Sequence, residues 1–242
     1  MRLYLSSYRV GDRAGSLLAL LSGGQEKSQA LPARPRDSAE WRGGKRAALI
    51  ENALDLYSEE AREMRRREVY DPAAELASLG IGSTRLDLRK YFGRPEALAA
   101  ELSSYDLVWV VGGNAFVLRR AMKQSGFDDV IVGMLDNDQI VYGGYSAGAV
   151  VAAPSLCGIH LMDDADDVPT GYETETAWDG LGLIDHAIVP HYRSPHPETA
   201  AAERAVRHLC GQGLRYRALR DGEVIVWTEN RRRMPDLERR IA

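Results

Sequence analysis

Cysteine is scarce in this 242-residue sequence: Cys157 and Cys210 form neither a CxxC pair nor a disulfide framework, which favours a reduced, cytoplasmic chain. Long apolar runs are missing as well. No stretch approaches the roughly 20 residues of a membrane span, and the opening MRLYLSSYRVGD lacks the h-region of a signal peptide, so neither a membrane partner nor a leader is expected. Charge of one sign is not in excess. With 31 basic and 35 acidic residues the formal charge is −4, which argues against nucleic acid as a partner. Acidic residues flank both arginine clusters, Arg65-Arg66-Arg67 and Arg231-Arg232-Arg233, which therefore read as solvated helix and tail surface. A GxGxxG loop, a Walker lysine and an EF-hand spacing are all absent, so no cofactor or metal is expected.

What the chain does have is 45% hydrophobic residues and 23 glycines, suited to tight strand-to-helix turns. RLYLSS reads as a first strand and GSLLALL as a helix. A loop is expected over residues 31–44, then a strand at KRAALIENA and one charged helix through SEEAREMRRREVYDPAAELASLG. The alternation continues with STRLDLRKY (strand), RPEALAAELSSY (helix), DLVWVVGG (strand), AFVLRRAMKQSG (helix), QIVYGGYS (strand) and AGAVVAAP (short helix). HAIVPHY (strand) and PETAAAERAVRHLC (helix) follow, then two strands about Asp221-Gly222, a hairpin signal. Such alternation implies an α/β fold: a mostly parallel sheet, helices on both faces and a C-terminal antiparallel hairpin. No composition break divides it, so residues 1–242 are expected to form one domain.

The site of such a sheet lies at the carboxyl ends of its strands. There Gly144-Tyr145-Ser146-Ala147-Gly148 matches the G-x-S-x-G nucleophile elbow, whose small flanking residues let a strained serine rise above the sheet. The amide of Ala147 then opens a helix and faces a developing oxyanion. Gly113, at the end of VVGG, is the candidate second donor. Of the five histidines, position favours His191, which closes HAIVPHY, with His160 as runner-up. The orienting carboxylate is sought in LMDDADDVP, where four aspartates fall within five residues.

VVGGNAFVL, GGYSAGAVVAAPS, DDVP and GLGLIDHAIVPHY, in this order, resemble the peptidase E family of serine hydrolases, strongly over residues 106–192. The resemblance implies a flavodoxin-like sheet of the class I glutamine amidotransferase type, with serine at the elbow. It also implies a cofactor-free dipeptidase working through an acyl-enzyme, with Ser146 as nucleophile, His191 as base and Gly113 and Ala147 as oxyanion hole. The family's aspartate falls on Asp167, with Asp164 or Asp163 as replacements because this loop is longer here. The arginine that grips an N-terminal aspartate in the family is replaced by alanine near Ala201. Arg193 and Arg204 are candidate substitutes, and Asn114 and Tyr145 further substrate contacts. The expected partner is a small peptide, bound by a monomer or homodimer. An α/β-hydrolase esterase is the enzymatic rival, but only 45 residues separate Ser146 from His191, too few for that fold's usual insert. The remaining alternative is a non-catalytic binding protein of the same fold.

Overall fold

The structure, a computed structural model, describes residues 1–23 and 44–228. The loop expected over residues 31–44, apart from Gly44, and the arginines at 231–233 lie outside the described residues. The chain runs β1 (Arg2–Ser6), α1 (Ala14–Ser22), β2 (Lys45–Ile50), α2 (Glu59–Glu68), α3 (Pro72–Ser78), β3 (Ile81–Arg85), α4 (Pro95–Leu102) and β4 (Leu107–Val110). It continues through α5 (Ala115–Ser125), α6 (Phe127–Asp136), β5 (Val141–Tyr145), α7 (Ala147–Val150), β6 (Ala187–Val189), α8 (Thr199–Gly211), β7 (Tyr216–Ala218) and β8 (Val224–Thr228).

Six strands form one sheet in the order β3-β2-β4-β5-β1-β8, parallel except for β8, which runs antiparallel to β1. Parallel neighbours require crossovers, and these cover both faces. Successive side chains of a strand point to opposite faces. Leu107 and Trp109 accordingly join Tyr4, Leu49 and Val141 against Leu17 and Leu21 of α1 and Leu76 of α3. Val108 and Val110 join Leu3, Ile50 and Tyr142 against Leu98 of α4, Phe116 of α5, Ile131 of α6 and Val150 of α7. The α/β class with a mostly parallel sheet is as the sequence implied. No described helix is long and apolar enough to cross a membrane.

Four local readings differ. The charged helix over 58–80 is two helices, because Pro72 starts α3 and the Asp71 carboxylate caps it, accepting the Ala73 N–H at 3.0 Å. The strand at STRLDLRKY stops at Arg85, and residues Leu88–Tyr91 make a 3₁₀ turn. α6 was not anticipated: Gly126, with φ of 72°, ends α5 in a left-handed residue from which α6 starts at once. Finally, the two last strands do not pair with each other. β7, whose Tyr216 and Arg217 are exposed, pairs in parallel with β6 as a separate two-stranded sheet. β8 buries Val224 and Ile225 at the edge of the main sheet beside β1. The turn at Asp221-Gly222 is present, but it joins two sheets.

Candidate active site

β5 ends at Tyr145 and α7 begins at Ala147, so a single residue makes the turn. That residue, Ser146, has φ of 49° and ψ of −118°, a conformation rarely held by a side chain with Cβ. Its N–H is fixed by the carbonyls of Ser6 and Ser7, at 3.1 and 3.2 Å. The flanking glycines permit the close approach: a Cβ on Gly148 would lie 2.2 Å from the Val110 carbonyl oxygen, and one on Gly144 2.9 Å from the Gly148 backbone. Gly148→Ala is therefore expected to destabilise the fold by about 2–3 kcal/mol. A thermal melt checks this; an unchanged melting temperature would show that strand and helix separate freely.

His191 Nε2 lies 3.1 Å from Ser146 Oγ, and His191 Nδ1 lies 2.7 Å from Asp221 Oδ1. His191 is 1% exposed and again has a positive φ, 60°. The carboxylate on His191 is thus Asp221, from the turn before β8, and not one from the acidic loop. Asp167 is held elsewhere: its Oδ2 accepts from Asn114 Nδ2 at 3.1 Å. Asp163 accepts the Ala115 N–H at 2.8 Å, and Asp164 accepts the Asp166 N–H at 2.9 Å. The N-terminus of α5, with its free amide donors, draws this loop to itself.

Two residues without a sequence signal brace the arrangement. The buried hydroxyl of Ser7 donates to Asp221 Oδ1 at 2.9 Å and accepts the His191 N–H at 2.8 Å. Ser194 Oγ accepts the Asp221 N–H at 2.8 Å. Three other histidines stand apart from the serine: His160 packs against Trp178 and His208, and His186 pairs with Asp185.

Gly113 and Ala147 carry amides that meet no acceptor among the described residues. A Cβ on Gly113 would lie 2.5 Å from the Ala53 carbonyl oxygen, so only glycine brings this amide so near. Asn114 and Tyr145 line the same cleft, of about 310 Å³, with Ser146, Gly113 and His191. Asn114 caps α5 through its Oδ1 and donates through Nδ2 to the Asp164 carbonyl and Asp167. Arg193 and Arg204 do not line it. Arg193 covers the Tyr192 ring, and Arg204 donates to the Leu161 carbonyl oxygen at 3.2 Å.

One wall of the cleft is acidic, with Asp163, Asp164 and Asp167 beside Asn114 and Ala115, and a fourth carboxylate, Glu198, lies beside His191. Burial pushes the Asp163 carboxyl up to about 7; the Ala115 N–H opposes this, and Glu198 and Asp167 add to it. The folded state therefore binds more protons than the unfolded chain between about pH 4 and 7, and the stability from this group falls as pH rises through that window. Asp163→Asn keeps an acceptor for Ala115 but cannot ionise. Its melting temperature is expected to gain on that of wild type between pH 5 and pH 8. An equal difference at both pH values would refute the assignment.

His196 stacks on His191 with ring centroids 3.7 Å apart and planes 7° apart, and Glu198 Oε2 lies 3.8 Å from His191 Nε2. Burial first, then His191, hold the His196 imidazole below its usual pKa. These three residues are close enough to share a metal ion. The parallel rings aim their lone pairs side by side, however, and an ion on Nε2 of His191 would take the place of the Ser146 hydroxyl.

The sequence profile of peptidase family S51 matches residues 43–234. An uncharacterized peptidase of Listeria innocua is 36% identical over 119 residues, 49% of this chain and 54% of its own length. Peptidase E of Streptomyces coelicolor is 37% identical over 98 residues, 40% of this chain and 37% of that protein. The match thus spans about half the length of the first of these relatives, and less of the second. A solved structure from Listeria monocytogenes EGD-e, described as a candidate peptidase E, shares the fold with a TM-score of 0.65 at 22% identity, covering 93% of this chain and 97% of that one. The chain belongs to peptidase family S51.

Proposed function

We propose that this protein is a serine peptidase that hydrolyses dipeptides or amides of similar size through Ser146, His191 and Asp221. The observation that carries this reading is the unbroken line Asp221–His191–Ser146, ending on a strained serine that faces a small cleft. Asp221 accepts a hydrogen bond from the Nδ1–H, which fixes the tautomer and leaves the Nε2 lone pair toward the serine hydroxyl. Ser146 Oγ attacks the substrate carbonyl while His191 takes its proton. The N–H groups of Gly113 and Ala147 receive the oxyanion, and each such donor contributes roughly 3–4 kcal/mol to the transition state. Collapse breaks the C–N bond, and the leaving amine takes its proton from His191. Water then hydrolyses the acyl-enzyme by the same route.

The cleft itself supports a short substrate with a free amino terminus. Its volume is at the low end for small-molecule sites, and its acidic wall suits an ammonium group. That wall disfavours an aspartate side chain beside it, so the aspartyl specificity of the family does not carry over by default. The name of the Streptomyces relative supports the activity class.

A fluorophosphonate titration tests the reading. One equivalent is expected to attach rapidly to Ser146, because only an activated hydroxyl displaces the fluoride. Failure to react, with the protein folded, would leave a binding protein of the same fold.

A further inference from the structure

α2 carries four arginines. Arg62 pairs with Asp55 at 2.7 Å, Arg66 with Glu51 at 3.2 Å and Arg67 with Glu68 at 3.1 Å. The guanidinium of Arg65 has no carboxylate or hydrogen-bond partner among the described residues. Among the described residues it is also the only lysine or arginine lining the cleft, which holds four carboxylates. A cleft with carboxylates along one wall, a further one beside His191 and one unpaired permanent cation is matched by a zwitterion. We infer that Arg65 is the specificity residue that binds the C-terminal carboxylate of the substrate, an inference that rests on the peptidase reading above.

The sides of the cleft set the orientation. Asp163 and Asp167 are tied to Ala115 and Asn114, next to the Gly113 amide. His196 stacks on His191, whose Nε2 protonates the leaving amine, so the leaving residue lies over this histidine pair. Arg65 is near enough to Tyr145 and His196 for its charge to act on both. In a dipeptide the carboxylate sits one residue beyond the broken bond, on that side. A guanidinium fits a carboxylate through two parallel N–H bonds, and a longer peptide would replace that carboxylate with a neutral amide. Restriction to dipeptides then has a physical cause in this chain.

The test is calorimetric binding to Ser146→Ala protein, with Arg65 intact or changed to Gln or Lys. The probes are alanyl-leucine, seryl-leucine and aspartyl-leucine, each as free acid and as C-terminal amide. With Arg65 intact, the free acids are expected to bind about tenfold to a hundredfold tighter than the amides. Arg65→Gln is expected to erase that ratio, and Arg65→Lys to restore part of it. Melting temperatures of the variants show that the fold is retained.

A ratio that survives Arg65→Gln, the absence of any ratio, or no binding by any probe would overturn the inference. So would an effect of Arg65→Gln limited to aspartyl-leucine and equal for its acid and amide, which would assign the arginine to the aspartate side chain. Turnover by protein that retains Ser146 separates the two readings. Arg65-dependent binding without hydrolysis would remove the peptidase reading and keep the carboxylate site, whereas hydrolysis with no Arg65-dependent ratio would do the reverse.

Discussion

Asp221→Asn is expected to lower kcat about ten-thousandfold. Asparagine is nearly isosteric, but its amide can present N–H to His191 Nδ1. The imidazole then carries its proton on Nε2, 3.1 Å from Ser146 Oγ, and cannot accept the serine proton. With the amide N–H in the place of Oδ1, the Ser7 hydroxyl accepts from it and turns its own hydrogen to the Leu219 carbonyl oxygen, 3.3 Å away, so the loss is one of chemistry and not of folding. Steady-state kinetics with the best dipeptide of a panel, beside Asp167→Asn, decides the matter. Asp167 lines the cleft and bonds Asn114, so its replacement is expected to act on KM. The opposite pattern, with kcat lost on Asp167→Asn and retained on Asp221→Asn, would return the role to the acidic loop.

Ser146→Ala is expected to lower kcat on the order of a millionfold. The cleft and the two free amides remain, so the variant still binds substrate and polarises its carbonyl, but no covalent intermediate forms. Single-turnover assays and mass spectrometry of quenched reactions check this: an acyl adduct on wild type and none on the variant. Alanine with near-native turnover would mean that water attacks directly, and would end the covalent mechanism.

The fold was legible in the sequence because it is written in local patterns. Four to eight β-branched and apolar residues, a glycine, then a helix-forming stretch recur along the chain, and β4, β5 and the elbow follow them closely. Ser146 and His191 were legible for the same reason, since each ends a recognisable strand. Asp221 was not. It precedes a glycine between two apolar runs, which is also how a hairpin is written, and nothing local tells that β7 and β8 belong to different sheets. Four aspartates in the loop over 163–167 offered a closer and misleading alternative. Arg65 was hidden by its neighbours: a run of arginines among glutamates looks like solvated surface, and only the packing of α2 beside the cleft separates it from Arg66 and Arg67. Ser7 carries no pattern at all, since its role arises only where the residue after β1 meets His191 and Asp221.

The placement of β8 orders events in time. Leu3 lies opposite Trp227, and Ser7 meets Asp221 across 214 positions of sequence. A chain emerging from the ribosome can pair β2, β3, β4 and β5 and turn the elbow long before residue 221 exists. His191 still lacks its acid at that stage, and β1 has one open edge. Docking of β8 closes the longest loop in the sheet, a contact of the slow, non-local kind. On the proposed mechanism the nascent chain displays a serine that cannot yet attack and hydrolytic competence arrives with β8, so the onset of activity during refolding is expected to report the completion of the sheet.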